Sequence, residues 1–389
     1  MRIAQIAPLW ERVPPQRYGG TERIVSYLTD ALVRLGHEVT LFATSDSLTP
    51  AQLQGLCPEA LRLSPNLGFP EAPMVLQLER AFGTMANQFD IIHSHLGFLG
   101  FPYARRCHTP VITTLHGRLD PPELIPVFRE FIDMPVVSIS TAQQRPLVWA
   151  NWLGTVYHGL PHDLYTFHPK PGQYLAFLGR ISPEKRPDHA IELARKLNMP
   201  LKIAAKIDPD NQDYFKVKVA PWMKHPLIEF VGEITDAEKN DFIGQAHALV
   251  CPYDWPEPFG MVLIEALACG TPVLAYRRGS IPEVIDHGET GLICEDFEGM
   301  LEAVPKVASL NRRHCRDAFE RSFTDDRMVS DYLTLYGRLL QARSIPSMES
   351  LTTLCDPAGV EVDMTPMAEG PVTWEPEDDL CVSRSHSQE

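Results

Sequence analysis

The chain has 389 residues, 44% of them hydrophobic, and a formal net charge of −15. That length exceeds one ordinary core and suits two domains of about 150 to 180 residues each. Such an acidic balance argues against a nucleic-acid partner, although the charge is uneven. From Ser344 to Glu389 ten Asp and Glu stand against one Arg, a net of −9, which leaves −6 for the first 343 residues. The 344–389 tail is also rich in Pro and Ser and reads as a poorly ordered segment outside either core. Eight cysteines are scattered without a C-x-x-C pair, which argues against a zinc knuckle or a disulfide framework. The start of the chain lacks the apolar run of a signal peptide or membrane span, so a cytoplasmic protein without a strong membrane signal is expected.

Strand-like and helical runs alternate from the start. Arg2 to Ala7 reads as a strand, Thr21 to Leu35 as a helix, and Glu38 to Ala43, Ile91 to His93 and Val111 to Leu115 as further strands. A break of pattern at His158 to Gly172 marks a boundary. A second series then begins with strands at Tyr174 to Leu178, Leu201 to Ala205, Ile228 to Val231, Ala248 to Cys251 and Val273 to Ala275. Helices are expected near Asp188 to Leu197, Asp236 to Ala246 and Met261 to Cys269. This alternation predicts an α/β chain of two Rossmann-like, doubly wound halves, 1–160 and 161–324, facing across a cleft. A last helix, about 325–343, is placed with the first half.

Three stretches carry chemistry. Gly19-Gly20-Thr21-Glu22 lies between the first strand and first helix, where two glycines let the backbone approach a phosphate. Arg180, past a strand end, and Lys185, before a helix, offer a forked and a mobile cation that suit a diphosphate. Glu257-Pro-Phe259-Gly260-Met261 leads into an apolar helix that contains Glu265. An unpaired carboxylate there would cost several kcal/mol, so Glu265 needs a partner, which a sugar nucleotide could be. His93 and His95 end one strand on the same side, and His116 ends another. No Asp or Cys stands near enough in the sequence to make the first two a metal pair, and no metal site is expected.

Glu257-Pro-Phe-Gly, followed by Glu265-Ala-Leu-Ala-Cys-Gly-Thr-Pro-Val, resembles the motif of the retaining glycosyltransferases of family four, which have the GT-B fold. The Gly-Gly pair, Gly179-Arg180 with Lys185 five residues on, and the turn Phe230-Val-Gly-Glu-Ile234 extend the likeness over residues 1 to about 343. What the resemblance implies is transfer of a hexose from a nucleotide diphosphate sugar with retention of configuration, without a metal or other cofactor. Arg180 and Lys185 would hold the diphosphate, while Glu257 would contact the transferred sugar with the backbone of Phe259, Gly260 and Met261. Glu265 would bind the ribose, Val231 to Ile234 would flank the base, and Gly19 and Gly20 would approach the phosphates. His116 resembles the histidine that faces the reacting carbon, and His95 would stand near the acceptor, whereas His93 packs.

The acceptor, whether carbohydrate, small molecule or lipid, stays open, as does the donor's base. One departure is visible: the family's junction reads Asn-Gly-Val-Asp, and this chain has His158-Gly-Leu-Pro161. The competing reading is an inactive nucleotide-sugar-binding homologue or scaffold, against which Arg180, Lys185, Glu257 and His116 in one chain argue. A nicotinamide dehydrogenase is set aside because Tyr18-Gly-Gly-Thr-Glu-Arg23 lacks the glycine spacing of that fold.

Overall fold

The computed structural model describes residues 1–64 and 68–344, side chains through residue 342; the acidic tail beyond lies outside the described residues. The first half is a parallel sheet in the order β3-β2-β1-β4-β5-β6-β7, from β1 (Arg2–Ile6), β2 (Glu38–Ala43), β3 (Gln52–Gly55), β4 (Ile91–Ser94), β5 (Val111–Thr114), β6 (Val136–Ser138) and β7 (Trp152–Thr155). Its centre is buried on both faces, as a parallel sheet flanked by helices requires. Four of the five residues of β1 are buried, among them the polar Gln5. The helix Gly20–Arg34 covers one face with Ile24, Leu28, Ala31 and Leu32, spaced for a single helical stripe, and stops at Gly36, whose φ is +82°.

The second half is another parallel sheet, β10-β9-β8-β11-β12-β13, built from β8 (Leu175–Arg180), β9 (Leu201–Lys206), β10 (Ile228–Gly232), β11 (Ala248–Cys251), β12 (Val273–Tyr276) and β13 (Gly291–Cys294). Thr235 and Glu238 close a capping box at the start of the helix Asp236–Gly244. The helix Met261–Cys269 is buried on nearly every side from Leu263 onward, so it packs as a central rod. It ends at Gly270, φ +80°, where a Cβ would stand 2.6 Å from the Phe167 ring; only glycine fits.

The chain passes between the halves twice, side by side. Leu160 N–H donates to Phe323 O and Asp325 N–H donates to Leu160 O, both at 2.9 Å. A Cβ on Gly159 would lie 2.2 Å from Thr324 O, so the crossing strands touch. The last helix, Asp325–Ser344, then returns to the first sheet and buries Tyr332 and Tyr336 there. Four strands, β3, β6, β7 and β13, escaped the sequence reading. They are three or four residues long, and β3 (Gln-Leu-Gln-Gly) is an edge strand without an apolar run.

Candidate active site

A cavity of about 410 Å³ opens between the carboxyl ends of the two sheets, where doubly wound folds bind ligands. One wall is the end of β8 and β9 with Glu233 and Ile234 of the next turn; Trp255 to Val262 and Glu265 form another, and Arg17 to Arg23, His116 and His158 face them. Five cations (Arg17, Arg23, Arg62, Lys206, Lys239) and four carboxylates (Glu22, Glu233, Glu257, Glu265) line it, so an acidic protein carries a locally cationic cleft that favours an anionic ligand. Gly260, φ +83°, precedes the Met261–Cys269 helix, whose amino end is open to the cavity; a Cβ there would meet Leu263 Cδ1 at 2.9 Å. Across the cleft, the nearest atom to a Cβ on Gly20 is Met261 Sδ at 3.7 Å, so the glycine loop approaches that helix closely.

Both key carboxylates are paired with lysines. Glu257, 7% exposed, forms an ion pair with Lys185 and accepts from Trp255 Nε1–H at 2.9 Å. Lys185 Nζ stands 3.9 Å from the centre of the Tyr253 ring, which strengthens its hold on the site. Glu265, 1% exposed, accepts from Lys239 Nζ at 2.8 Å through Oε1, whereas its Oε2 is buried with no partner. Lys239 also pairs with Asp236 at 3.2 Å, and Asp236 pairs with Arg23 of the opposite half. The charges therefore form a line across the cleft.

The histidines gather in one buried stack. His116 Nε2 lies 2.9 Å from His95 Nδ1, His95 Nε2 lies 2.8 Å from Gln5 Oε1, and the His116 ring stacks on His158 at 5.3 Å. His93 bonds Tyr336 and Thr114, each at 2.7 Å. Burial lowers the pKa of His116 to about 3 and pushes His93, His95 and His158 well below the usual imidazole range. All four are neutral near pH 7.

The sequence-predicted residues divide. Gly19, Gly20, His116, Ile234, Glu257, Phe259, Gly260, Met261 and Glu265 all line the cavity. Val231 does not: it lies in the edge strand β10 with its side chain turned to solvent, 43% exposed, and Glu233 stands at the wall instead. Arg180 is not a wall residue either, because Glu184 at 3.1 Å and Asp208 at 3.8 Å draw its guanidinium aside. Lys185 stands behind Glu257. His95 is likewise no cavity residue but is buried between Gln5 and His116, which corrects its placing beside an acceptor. Sequence reasoning missed Lys239, Arg23 and Trp255; the need of Glu265 for a partner was the signal for the first of them.

Glu22 also faces the cavity. Burial raises its carboxyl to about 7, against the lowering effect of its own backbone N–H. A folded-state pKa above the unfolded one means that the folded chain binds the extra proton, so stability falls as pH rises from about 4.5 to about 7. Glu22→Gln is therefore expected to gain about 2 kcal/mol relative to the parent between pH 5.5 and pH 8. Urea unfolding of both proteins at the two pH values checks this, and equal differences at both would refute it.

Among the described residues no group of three or more His, Cys, Asp or Glu is placed to hold a metal ion, and no helix is long and apolar enough to cross a membrane. Two family models match side by side: Glycosyltransferase Family 4 over residues 18–153 and Glycosyl transferases group 1 over residues 166–318. The chain is 25% identical over 330 residues to D-inositol 3-phosphate glycosyltransferase of Pseudarthrobacter chlorophenolicus, covering 71% of this chain and 78% of that one. Sucrose-phosphate synthase from Thermosynechococcus elongatus superimposes with a TM-score of 0.72 at 19% identity, over 88% of this chain and 99% of that one. HepE of Anabaena, solved with UDP and glucose, gives a TM-score of 0.66 at 16% identity, with 88% and 99% covered. At these identities the two structures speak for the fold.

Proposed function

The chain belongs to the glycosyltransferases of group 1 and family 4, enzymes of the GT-B fold, and on that premise we propose that it moves a hexose from a nucleotide diphosphate sugar to a hydroxyl acceptor, retaining the anomeric configuration and using no metal. The observation that carries the reading is the unpartnered Oε2 of buried Glu265 beside the open amino end of the Met261–Cys269 helix. A carboxylate in the cavity wall with one unfilled oxygen matches a ribose diol, and the N–H groups of the helix start match a phosphate. Lys185, with Arg180 turned in from its resting partners, supplies the charge that a departing diphosphate needs. The acceptor hydroxyl attacks the anomeric carbon from the side on which the diphosphate leaves, and its proton passes to a phosphate oxygen. No protein nucleophile takes part. Glu257 holds the sugar hydroxyls, and the six described cysteines, all buried thiols, agree with a reducing cytoplasm.

Titration with a panel of uridine, guanosine and adenosine diphosphate sugars tests this reading. At least one should bind, and Glu265→Ala should weaken that binding about 30-fold while changing kcat little, since the ribose contact is the same in ground and transition states. Turnover should survive EDTA and give product of unchanged anomeric configuration. If no nucleotide sugar binds, or if Glu265→Ala binds as the parent does, the proposal fails, and the inactive scaffold becomes the better reading if binding occurs without turnover.

A further inference from the structure

We infer that Gln5, acting through His95, fixes His116 as the tautomer protonated on Nε2, so that His116 meets the transferred sugar with a bare Nδ1 that accepts a hydrogen bond from a hydroxyl. Gln5 is then a positioning residue for a contact it does not make. The part of this inference that concerns the sugar rests on the proposed function; the tautomer does not.

The argument starts from a polar side chain in the wrong place. Gln5 sits in the interior strand β1, beside the central β4, with no exposed surface, where an apolar residue would ordinarily stand. Its amide nitrogen donates to Tyr336 OH at 3.3 Å, which leaves Oε1 facing His95 Nε2 at 2.8 Å. An amide oxygen only accepts, so His95 carries its proton on Nε2 and turns a lone pair on Nδ1 toward His116. His116 Nε2, 2.9 Å away, must then be the donor. Each imidazole holds a single proton, because burial keeps both neutral. His116 Nδ1 is left as a lone pair, and it has no partner in the protein.

The reverse arrangement is worse. If the amide of Gln5 were turned over, His95 would donate from Nδ1 and His116 would carry its proton on Nδ1. That proton would be a buried donor without an acceptor, which proteins tolerate less readily than an unfilled acceptor. His116 belongs to the cavity wall and its ring stacks on His158; its Nδ1 is covered in the free protein, so a sugar hydroxyl becomes its donor when donor binding uncovers that edge of the ring. A histidine so fixed does not shuttle protons. It orients.

The test uses the full-length protein labelled with 15N in histidine, with long-range 1H–15N correlation spectra assigned by His116→Gln and His95→Gln. His116 in the parent should show a protonated Nε2 and a bare Nδ1, unchanged from pH 6.5 to 8.5. Gln5→Met, which keeps the volume but removes the acceptor, should shift His116 toward a mixture of tautomers. With the best-binding nucleotide sugar, the same variant should lose about tenfold in kcat with a similar KM, and one deoxy-sugar donor should erase the difference between variant and parent. A parent His116 protonated on Nδ1, or averaged between tautomers, would overturn the inference, as would an unchanged tautomer in Gln5→Met. Should that variant not fold, the parent spectrum alone decides. Were no nucleotide sugar to bind, the proposed function would fall while the tautomer result stood.

Discussion

Lys185→Ala should lower turnover about 10²- to 10³-fold, the usual loss when one preorganised charge-stabilising group is removed. It should also lower stability. In the free protein Lys185 is the ion-pair partner of Glu257, and without it that buried carboxylate keeps the indole N–H of Trp255 but no cation. Leaving one member of a buried pair uncompensated costs about 3 to 5 kcal/mol. The two losses have different causes and can be separated. Glu257→Gln added to Lys185→Ala removes the stranded charge, so stability should return while turnover stays low. Thermal unfolding and single-turnover kinetics on the parent and the two variants read both quantities. Turnover of Lys185→Ala within threefold of the parent would remove the lysine from the chemistry, and a double variant no more stable than the single would refute the stranded-charge account.

Acid should unfold this protein early. A histidine whose folded-state pKa is depressed takes up a proton on unfolding, so its contribution to stability is present above the unfolded value near 6.5 and is lost as pH falls toward the folded one. His93, His95, His116 and His158 are all of this kind, His116 down to about 3. Three carboxyls oppose them: Glu22, raised to about 7, Asp30, raised to about 6, and Glu11, also raised, all chiefly by burial, bind protons in the folded state and so stabilise it as pH falls. His37, His189 and His247, also lowered by burial, act in the same sense as the four buried histidines, so the histidines outnumber the raised carboxyls and stability should fall as pH drops from 6.5 toward 5. Urea unfolding at pH 7.5, 6.5 and 5.5 measures the slope. His158→Gln should reduce it by about one proton, and a flat profile in the parent would show that the histidines are not held neutral.

Much of this site was legible because parallel sheets place their ligand residues at strand ends, and strand ends are where glycine, charge and histidine interrupt apolar runs. Glu265 illustrates both the reach and the limit of that logic. Its burial and its need of a partner follow from the apolar residues around it. The partner, Lys239, lies 26 positions away on a helix whose place the sequence shows but whose rotation it does not. Arg180 illustrates a different limit: its place at a strand end is local, whereas Asp208, one of the two carboxylates that hold it aside, comes from the neighbouring strand's loop. His95 was misplaced because period two gives the face of a strand without saying whether that face meets the cleft or the core. Gln5 went unremarked for the same reason, since one polar residue in an apolar strand looks like tolerance until its neighbours are known.

The paired crossing at Leu160 and Phe323 to Asp325 bears on how such proteins can be recombined. The second sheet is, in chain terms, an insertion into the first: the first half is completed only when Tyr332 and Tyr336 come back to cover Thr114, His93 and Gln5. A fragment stopped at residue 160 would leave those polar groups bare in an apolar sheet and would not be an independent folding unit. Exchange of donor preference between relatives therefore requires two joins, one in each crossing strand, with the segment between them moved as a cassette. A single join would separate the histidine stack from the helix that closes it.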